Sequence, residues 1–182
     1  MSDDKVYEQR IVTEQRVSEI PEDIKVRELR EIDAQEVYEV ALEAWQYTYK
    51  DIYSSDFIQN FVNENYAPAV LLRLVPCIQV GQQFFHVALA QSSVVGFCHI
   101  AKTKQGMELV RIYLRPAYIG KGVGRALLRH GEEFIKSQGY HSYFCFVHKD
   151  NELGKNFYLT NGFTHLVEND KEDDWHMEKR LA

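Results

Sequence analysis

The chain has 182 residues, 45% of them apolar and 26% charged, a composition that suits one well-buried globular core and excludes a disordered or fibrous protein. Its formal net charge of −6 at neutral pH argues against nucleic acid as a partner, because nonspecific binding to a phosphate backbone is driven by Lys and Arg displacing counterions. A cationic small molecule fits that sign better.

Residues 1–22 are polar, with a loose alternation over 6–17, and Pro21 separates them from a clearer pattern. They read as an N-terminal extension to a domain spanning 23–182. The opening MSDDKVYEQR is charged from its third residue, and no later stretch approaches the roughly eighteen apolar residues of a membrane span. No membrane association and a cytoplasmic location are therefore expected. Ile24, Val26 and Leu29 open a strand. Asp33, with Glu36 three residues on, has the spacing of a capping box and places a helix start near Ala34. Val37, Val40, Ala41, Ala44 and Trp45 then recur at the helical period. Ser54 or Ser55 caps a second helix through Val62, and 69–78 reads as a third helical segment ended near Pro76.

From Phe84 the period changes to that of a three-strand meander, with β-rich runs at 84–90, 94–101 and 107–114. A helix over 122–138 closes at Gly139. A strand over 140–147, a helix over 151–160 and strands at 163–167 and 175–180 complete the order. This is a single α+β (mixed α/β) domain. Cys77, Cys98 and Cys145 are odd in number and without C-x-x-C spacing, so they read as buried thiols rather than a disulfide framework or zinc cluster. His141 and His148, seven apart on one strand, fall on opposite faces, and no metal site is expected.

Ile119-Gly120-Lys121-Gly122-Val123-Gly124-Arg125 lies between a strong strand and a strong helix, where unpaired N–H groups and the positive end of the helix dipole attract phosphate. Glycines let a pyrophosphate approach the backbone, and Lys121 and Arg125 add positive charge. The Walker loop is excluded because no Lys-Ser or Lys-Thr pair follows these glycines. The dinucleotide fingerprint is excluded because Arg125 and Leu127 stand where its third glycine belongs.

The segment Asn151-Glu152-Leu153-Gly154-Lys155-Asn156-Phe157-Tyr158-Leu159-Thr160-Asn161-Gly162-Phe163 reads as N-x-x-[AG]-x-x-F-Y-x-x-x-G-F. Together with 112–118 leading into the glycine loop, it resembles the GNAT acetyltransferase superfamily on both of its most characteristic segments, over residues 24–180. The resemblance implies a central, mostly antiparallel twisted sheet, splayed between its fourth and fifth strands and flanked by helices. It also implies transfer of an acetyl group from acetyl-CoA to a primary amine by direct attack in a ternary complex. The family usually carries Arg or Gln where this chain has Ile119, so some cofactor contacts are expected to be lost there. Residues 43–53 and the Ser-led helix after them are similar to bacterial polyamine (spermidine/spermine) acetyltransferases, which implies a polyamine or other small cationic amine as acceptor. A protein N-terminus, an aminoglycoside or an amino acid is the alternative acceptor, and a noncatalytic acyl-CoA-binding regulatory module the alternative of another class. A homodimer is also expected from the family.

By the same resemblance, CoA would pair with Ile112, Tyr113 and Leu114 as an added strand. Its pyrophosphate would sit on Gly120, Lys121, Gly122, Val123, Gly124 and Arg125, with Asn151 and Tyr158 completing the site. Backbone N–H near Leu114 would stabilise the negative charge that develops on the acetyl oxygen. Tyr158 would protonate the departing thiolate. A lysine-like amine has a pKa of about 10.4, so about one molecule in two thousand is neutral at pH 7 and a base is needed. Glu108 is the candidate, with His148 and His99 behind it. Which side of the sheet Glu108 faces depends on whether its strand carries a bulge. Trp45, Tyr49, Tyr53 and His148 are expected to line the acceptor pocket, with Glu43, Asp51 and Asp56 supplying acidic charge.

Overall fold

The structure is a computed structural model and describes residues 24–182; the expected N-terminal extension lies outside the described residues. β1 (Ile24–Glu28) is followed by α1 (Ala34–Tyr49), α2 (Ser55–Tyr66) and two short helices, α3 (Pro68–Leu72) and α4 (Val75–Gln79). The meander β2 (Gln83–Ala90), β3 (Ser93–Thr103) and β4 (Gly106–Leu114) leads into α5 (Val123–Ser137). Then come β5 (Ser142–His148), α6 (Glu152–Thr160), β6 (Thr164–His165) and β7 (Asp174–Arg180). The seven strands form one sheet in the order β1-β2-β3-β4-β5-β7-β6, antiparallel except for β4 beside β5.

Three local expectations are corrected. Helix α1 begins at Ala34, but no side chain caps it. The Asp33 carboxylate instead accepts from Arg27 Nη1 and Nη2 at 2.6 and 2.8 Å and from the Arg30 amide at 2.8 Å. A bidentate guanidinium outcompetes a neutral helix amide for a carboxylate. Glu36 accepts from the Val94 amide 58 residues away, at 2.7 Å, rather than closing a capping box. Pro76 does not end the third helical segment; it stands in the first turn of α4, where its missing N–H is not needed. The strand expected at 163–167 shrinks to two residues, because Val167 starts a 3-10 turn.

Sheet alternation sends two apolar clusters to opposite faces. Phe85, Val87, Leu89, Phe97 and Tyr113 pack with α1 to α4. Phe84, Cys98, Ile100, Met107 and Leu109 pack with Val123, Leu127, Leu128 and Ile135 of α5. Cys98 and Cys145 are buried and all three cysteines are free.

The register between β3 and β4 slips by one residue: His99 faces Arg111 and Ile100 faces Leu109, which leaves Val110 without a partner. Without that bulge, Met107, Leu109, Arg111 and Tyr113 would share one face. With it, Met107, Leu109, Ile112 and Leu114 all face α5, whereas Tyr113 faces α1 and α2. Glu108, flanked by Met107 and Leu109, is thereby assigned to the α1/α2 face.

Close approach of β3 and β4 depends on Gly96, where a Cβ would collide with the Leu114 side chain and lie 2.9 Å from the Tyr113 carbonyl oxygen. Because that oxygen belongs to the backbone of the neighbouring strand, Gly96→Ala is expected to cost about 1–3 kcal/mol, measured as a lower urea midpoint at unchanged slope.

Candidate active site

β4 and β5 share a single register pair, Glu108 with Phe144, and then part. Beyond it the edge of β4 has no strand beside it, so its remaining N–H and C=O groups are open to an extended ligand. A cavity of about 390 Å3 fills the wedge. Val110, Ile112 and Leu114 border it from β4, and Phe146 and Val147 from β5.

The outer end of the cavity is the glycine loop. Gly120 and Gly122 have φ of +78° and +79°, a left-handed conformation that costs an L side chain about 1–2 kcal/mol. Gly122 is the N-cap of α5. It borders the cavity together with Gly120, Gly124 and Arg125, so the unpaired N–H groups of the first helical turn stand beside it. The third glycine serves packing: a Cβ on Gly124 would lie 3.0 Å from the Phe157 ring of α6. Lys121 is exposed, with its ammonium 5.3 Å from the Tyr118 ring centroid, and Val123 is wholly buried in the α5 core. Neither of those two borders the cavity, whereas Ile119 does.

The opposite wall is α6. Asn151 caps it, its Oδ1 accepting from the Gly154 amide at 2.8 Å, while its Nδ2 donates to Tyr49 Oη at 3.1 Å. One buried amide thus ties the start of α6 to the end of α1. The space around it is full, since a Cβ at Gly154 would lie 2.8 Å from Asn151 Nδ2 and 2.9 Å from Val147 Cγ2. Tyr158, one turn further along, is buried and borders the cavity. Burial above all, and then the neighbouring Cys145 and Tyr49, push its phenol well above the ordinary range, so it carries its proton at neutral pH.

On the α1/α2 face, the pairing of β5 with β7 sets Phe144 beside Glu178, Phe146 beside His176 and His148 beside Asp174. The Phe144 and His176 rings stack at 5.1 Å. Glu108 stands next to this row. Burial raises its carboxyl above the usual range, an effect opposed by the charges of Lys171 and His176. Tyr53 meets the His148 ring at 5.7 Å. Burial first, then the charges of Asp174, Asp173 and Asp150, raise its phenol.

Of the four side chains expected around an acceptor, Tyr49 alone borders the cavity. Tyr53 and His148 stand together at the acidic row. Trp45 lies behind Tyr49 in the core, with its ring 4.4 Å from Tyr49 and 4.2 Å from Phe61. Glu43 is taken up by Arg115, and Asp51 and Asp56 are exposed. His99 is buried, 2.9 Å from Gln83 Oε1, and burial followed by the Arg111 charge lowers its pKa to about 3; neither His99 nor Glu108 borders the cavity, and His99 is removed from the candidate bases because so low a pKa leaves it a weak proton acceptor. Sequence reasoning missed Phe146, Asp174 and Lys171, which belong to no motif and reach the site only through β5–β7 pairing. Among the described residues no group of three or more His, Cys, Asp or Glu side chains is placed to hold a metal ion. No described helix is long and apolar enough to cross a membrane.

An open strand edge that runs to a side-chain-free helix N-terminus fits an extended arm ending in a diphosphate. The comparisons with known proteins agree. The family model described as "Acetyltransferase (GNAT) family" matches residues 34–163. A spermidine N(1)-acetyltransferase of Thermoplasma acidophilum is 34% identical over 158 residues, covering 86% of this chain and 97% of its own. An uncharacterized N-acetyltransferase of Bacillus subtilis, YuaI, is 29% identical over 133 residues, covering 70% and 73% of the two chains. The crystal structure of the PaiA N-acetyltransferase of T. acidophilum in complex with coenzyme A superposes with a TM-score of 0.82 at 33% identity, covering 87% of this chain and 99% of that one. This chain therefore belongs to the GNAT acetyltransferase family and is an N-acetyltransferase that uses acetyl-CoA.

Proposed function

We propose that the acceptor is a polyamine or a similar small cationic amine, and that it attacks acetyl-CoA directly while both are bound. The observation that carries this reading is the row on the α1/α2 face beside the inner end of the wedge. There Glu108 and Asp174 supply negative charge, and Phe146, His148 and Tyr53 supply aromatic faces, a combination that attracts ammonium groups. The spermidine N(1)-acetyltransferase relative, matched over 97% of its length, supports the same acceptor class.

In this reading the donor's arm lies against the open edge of β4 at Ile112, Tyr113 and Leu114. Its pyrophosphate meets the amides of residues 120–125, with Arg125 alongside and Asn151 at the opposite wall. Ile119 contributes an apolar side chain there, so phosphate binding relies on backbone N–H groups. The acceptor enters from the other face, past Tyr49, Tyr53 and His148. Glu108 takes the proton that an ammonium must lose before it can attack, and its raised carboxyl brings it nearer in pKa to the task. Tyr158, held protonated in the same buried surroundings, returns a proton to the leaving sulfur. The bulge at Val110 serves both halves, because it turns Glu108 to the acceptor face while Ile112 and Leu114 remain beside the donor. A homodimer is carried forward with this reading, supported by the exposed apolar Leu159 and Val167 on either side of β6; light scattering that gives a monomer mass would refute it.

Spermidine and spermine are expected to release CoA with kcat/KM at least about fivefold above a monoamine of equal length, since one additional cation contact is worth about 1 kcal/mol or more. Equal rates across a panel of monoamines, amino acids and aminoglycosides would sink the polyamine assignment. Tyr158→Phe is expected to lower kcat by about 10²–10⁴-fold with little change in acetyl-CoA KM. A base must be deprotonated to act, so kcat/KM should fall as pH drops through the raised pKa of Glu108. Glu108→Gln should remove that acid limb and lower kcat by a factor on the order of 10² or more; an unchanged pH profile would assign the proton to another group.

A further inference from the structure

Four lysines lie on or beside the half of the sheet formed by β5 and β7, and three of them are held by carboxylates. Lys149 pairs with Asp173, Lys155 with Glu152 and Lys179 with Glu132. Lys171 has no ion-pair partner among the described residues. Its ammonium instead lies over the Phe146 ring, 3.9 Å from the centroid.

Phe146 is a wall of the cofactor cavity, and it stands in the row next to Phe144, the register partner of Glu108. The position is built rather than incidental. Lys171 and Asp174 close a turn through reciprocal backbone bonds, Lys171 N to Asp174 O at 2.9 Å and Asp174 N to Lys171 O at 2.7 Å. Glu172 within it takes a φ of +46°, uncommon for a residue with a side chain. The turn pins the Lys171 backbone at the end of β7 nearest His148, from which a four-carbon stem reaches Phe146. The ammonium therefore occupies the face of the aromatic row, in the field of Glu108 and Asp174, where the proposed function places the acceptor's charge. It is itself a primary amine of the class the enzyme acetylates.

We propose that Lys171 is acetylated by the chain that carries it when acetyl-CoA is bound and no free amine competes, an inference that rests on the proposed function and its roles for Glu108 and Tyr158. The ammonium gives one proton to Glu108, the neutral Nζ forms a bond to the acetyl carbonyl carbon, and the bond from that carbon to sulfur breaks. The leaving thiolate takes a proton from Tyr158, which recovers one from the nitrogen as the amide forms. The products are an Nε-acetyl-lysine at 171, CoA with its thiol and one proton released to solvent. Phosphate, metal or redox partners are not required.

The test uses the full chain with acetyl-CoA and no added amine, followed by intact-mass spectrometry and peptide mapping. The expected result is one acetyl group per chain, located at Lys171, with a first-order rate constant that does not change on tenfold dilution of the protein. K171R should abolish the mass increment, Tyr158→Phe should slow it by about 10²-fold or more, and spermidine should suppress it. No label at Lys171, label spread evenly over the lysines, or a first-order rate constant that rises in proportion to protein concentration would overturn the inference. Spermidine turnover is measured on the same preparation. Turnover without Lys171 labelling defeats this inference alone, whereas absence of CoA release with every amine defeats the functional reading as well.

Discussion

Everything the site does depends on the loss of pairing between β4 and β5 after Glu108 and Phe144. Parallel strands in a closed sheet bury both edges in hydrogen bonds; here one edge is surrendered so that a ligand can complete it. The two sides of the wedge are held by different means. β4 is fixed by its ladder to β3, with Gly96 permitting a close approach, and β5 by its seven-residue pairing with β7. The halves of the molecule meet again across the wedge through the Asn151–Tyr49 hydrogen bond.

The bulge at Val110 decides which chemistry faces which opening. A strand with strict period two would present Leu109 and Tyr113 to one face and leave Glu108 and Ile112 on the other. One unpaired residue breaks that rule and lets a single strand present Ile112 and Leu114 to the α5 face while Tyr113 and Glu108 face α1 and α2. The cost is a disrupted β3–β4 ladder, borne next to the point where β4 and β5 part. Burial shifts both groups in the same sense, upward: it keeps the Tyr158 phenol protonated and makes the Glu108 carboxylate a stronger base.

Charge in this region is used twice. Asp33 reads as a helix cap and Glu43 as an acceptor-site acid in the sequence, yet both are paired with arginines, Arg27 and Arg115. Glu108 and Asp174, which no periodic pattern sets apart, form no ion pair closer than 4 Å among the described residues. Burial raises the carboxyl of each, which marks them as groups taken partly out of water rather than as surface charge.

The helical and strand periods, the glycine loop and the N-x-x-[AG]-x-x-F-Y run were legible in the sequence, because they depend on local spacing and on backbone conformations that few residues other than glycine adopt readily. From the periods and the glycines came the element order and the loop with Gly120, Gly122 and Gly124; the resemblance carried by the two motifs implied the wedge and the pair Asn151 and Tyr158. The sequence also located the start of α1, although the capping reason offered for it was displaced by the Arg27–Asp33 pair. The tertiary structure alone decided which side Glu108 faces, that Trp45 is core while Tyr49 is surface of the cavity, and that Phe146, His176, Asp174 and Lys171 meet beside it. The physical reason is the same in each case. A one-residue slip in register and the pairing of β5 with β7, whose partners run from His148 with Asp174 to Ser142 with Arg180, are set by the sum of long-range packing, which no local window of residues contains.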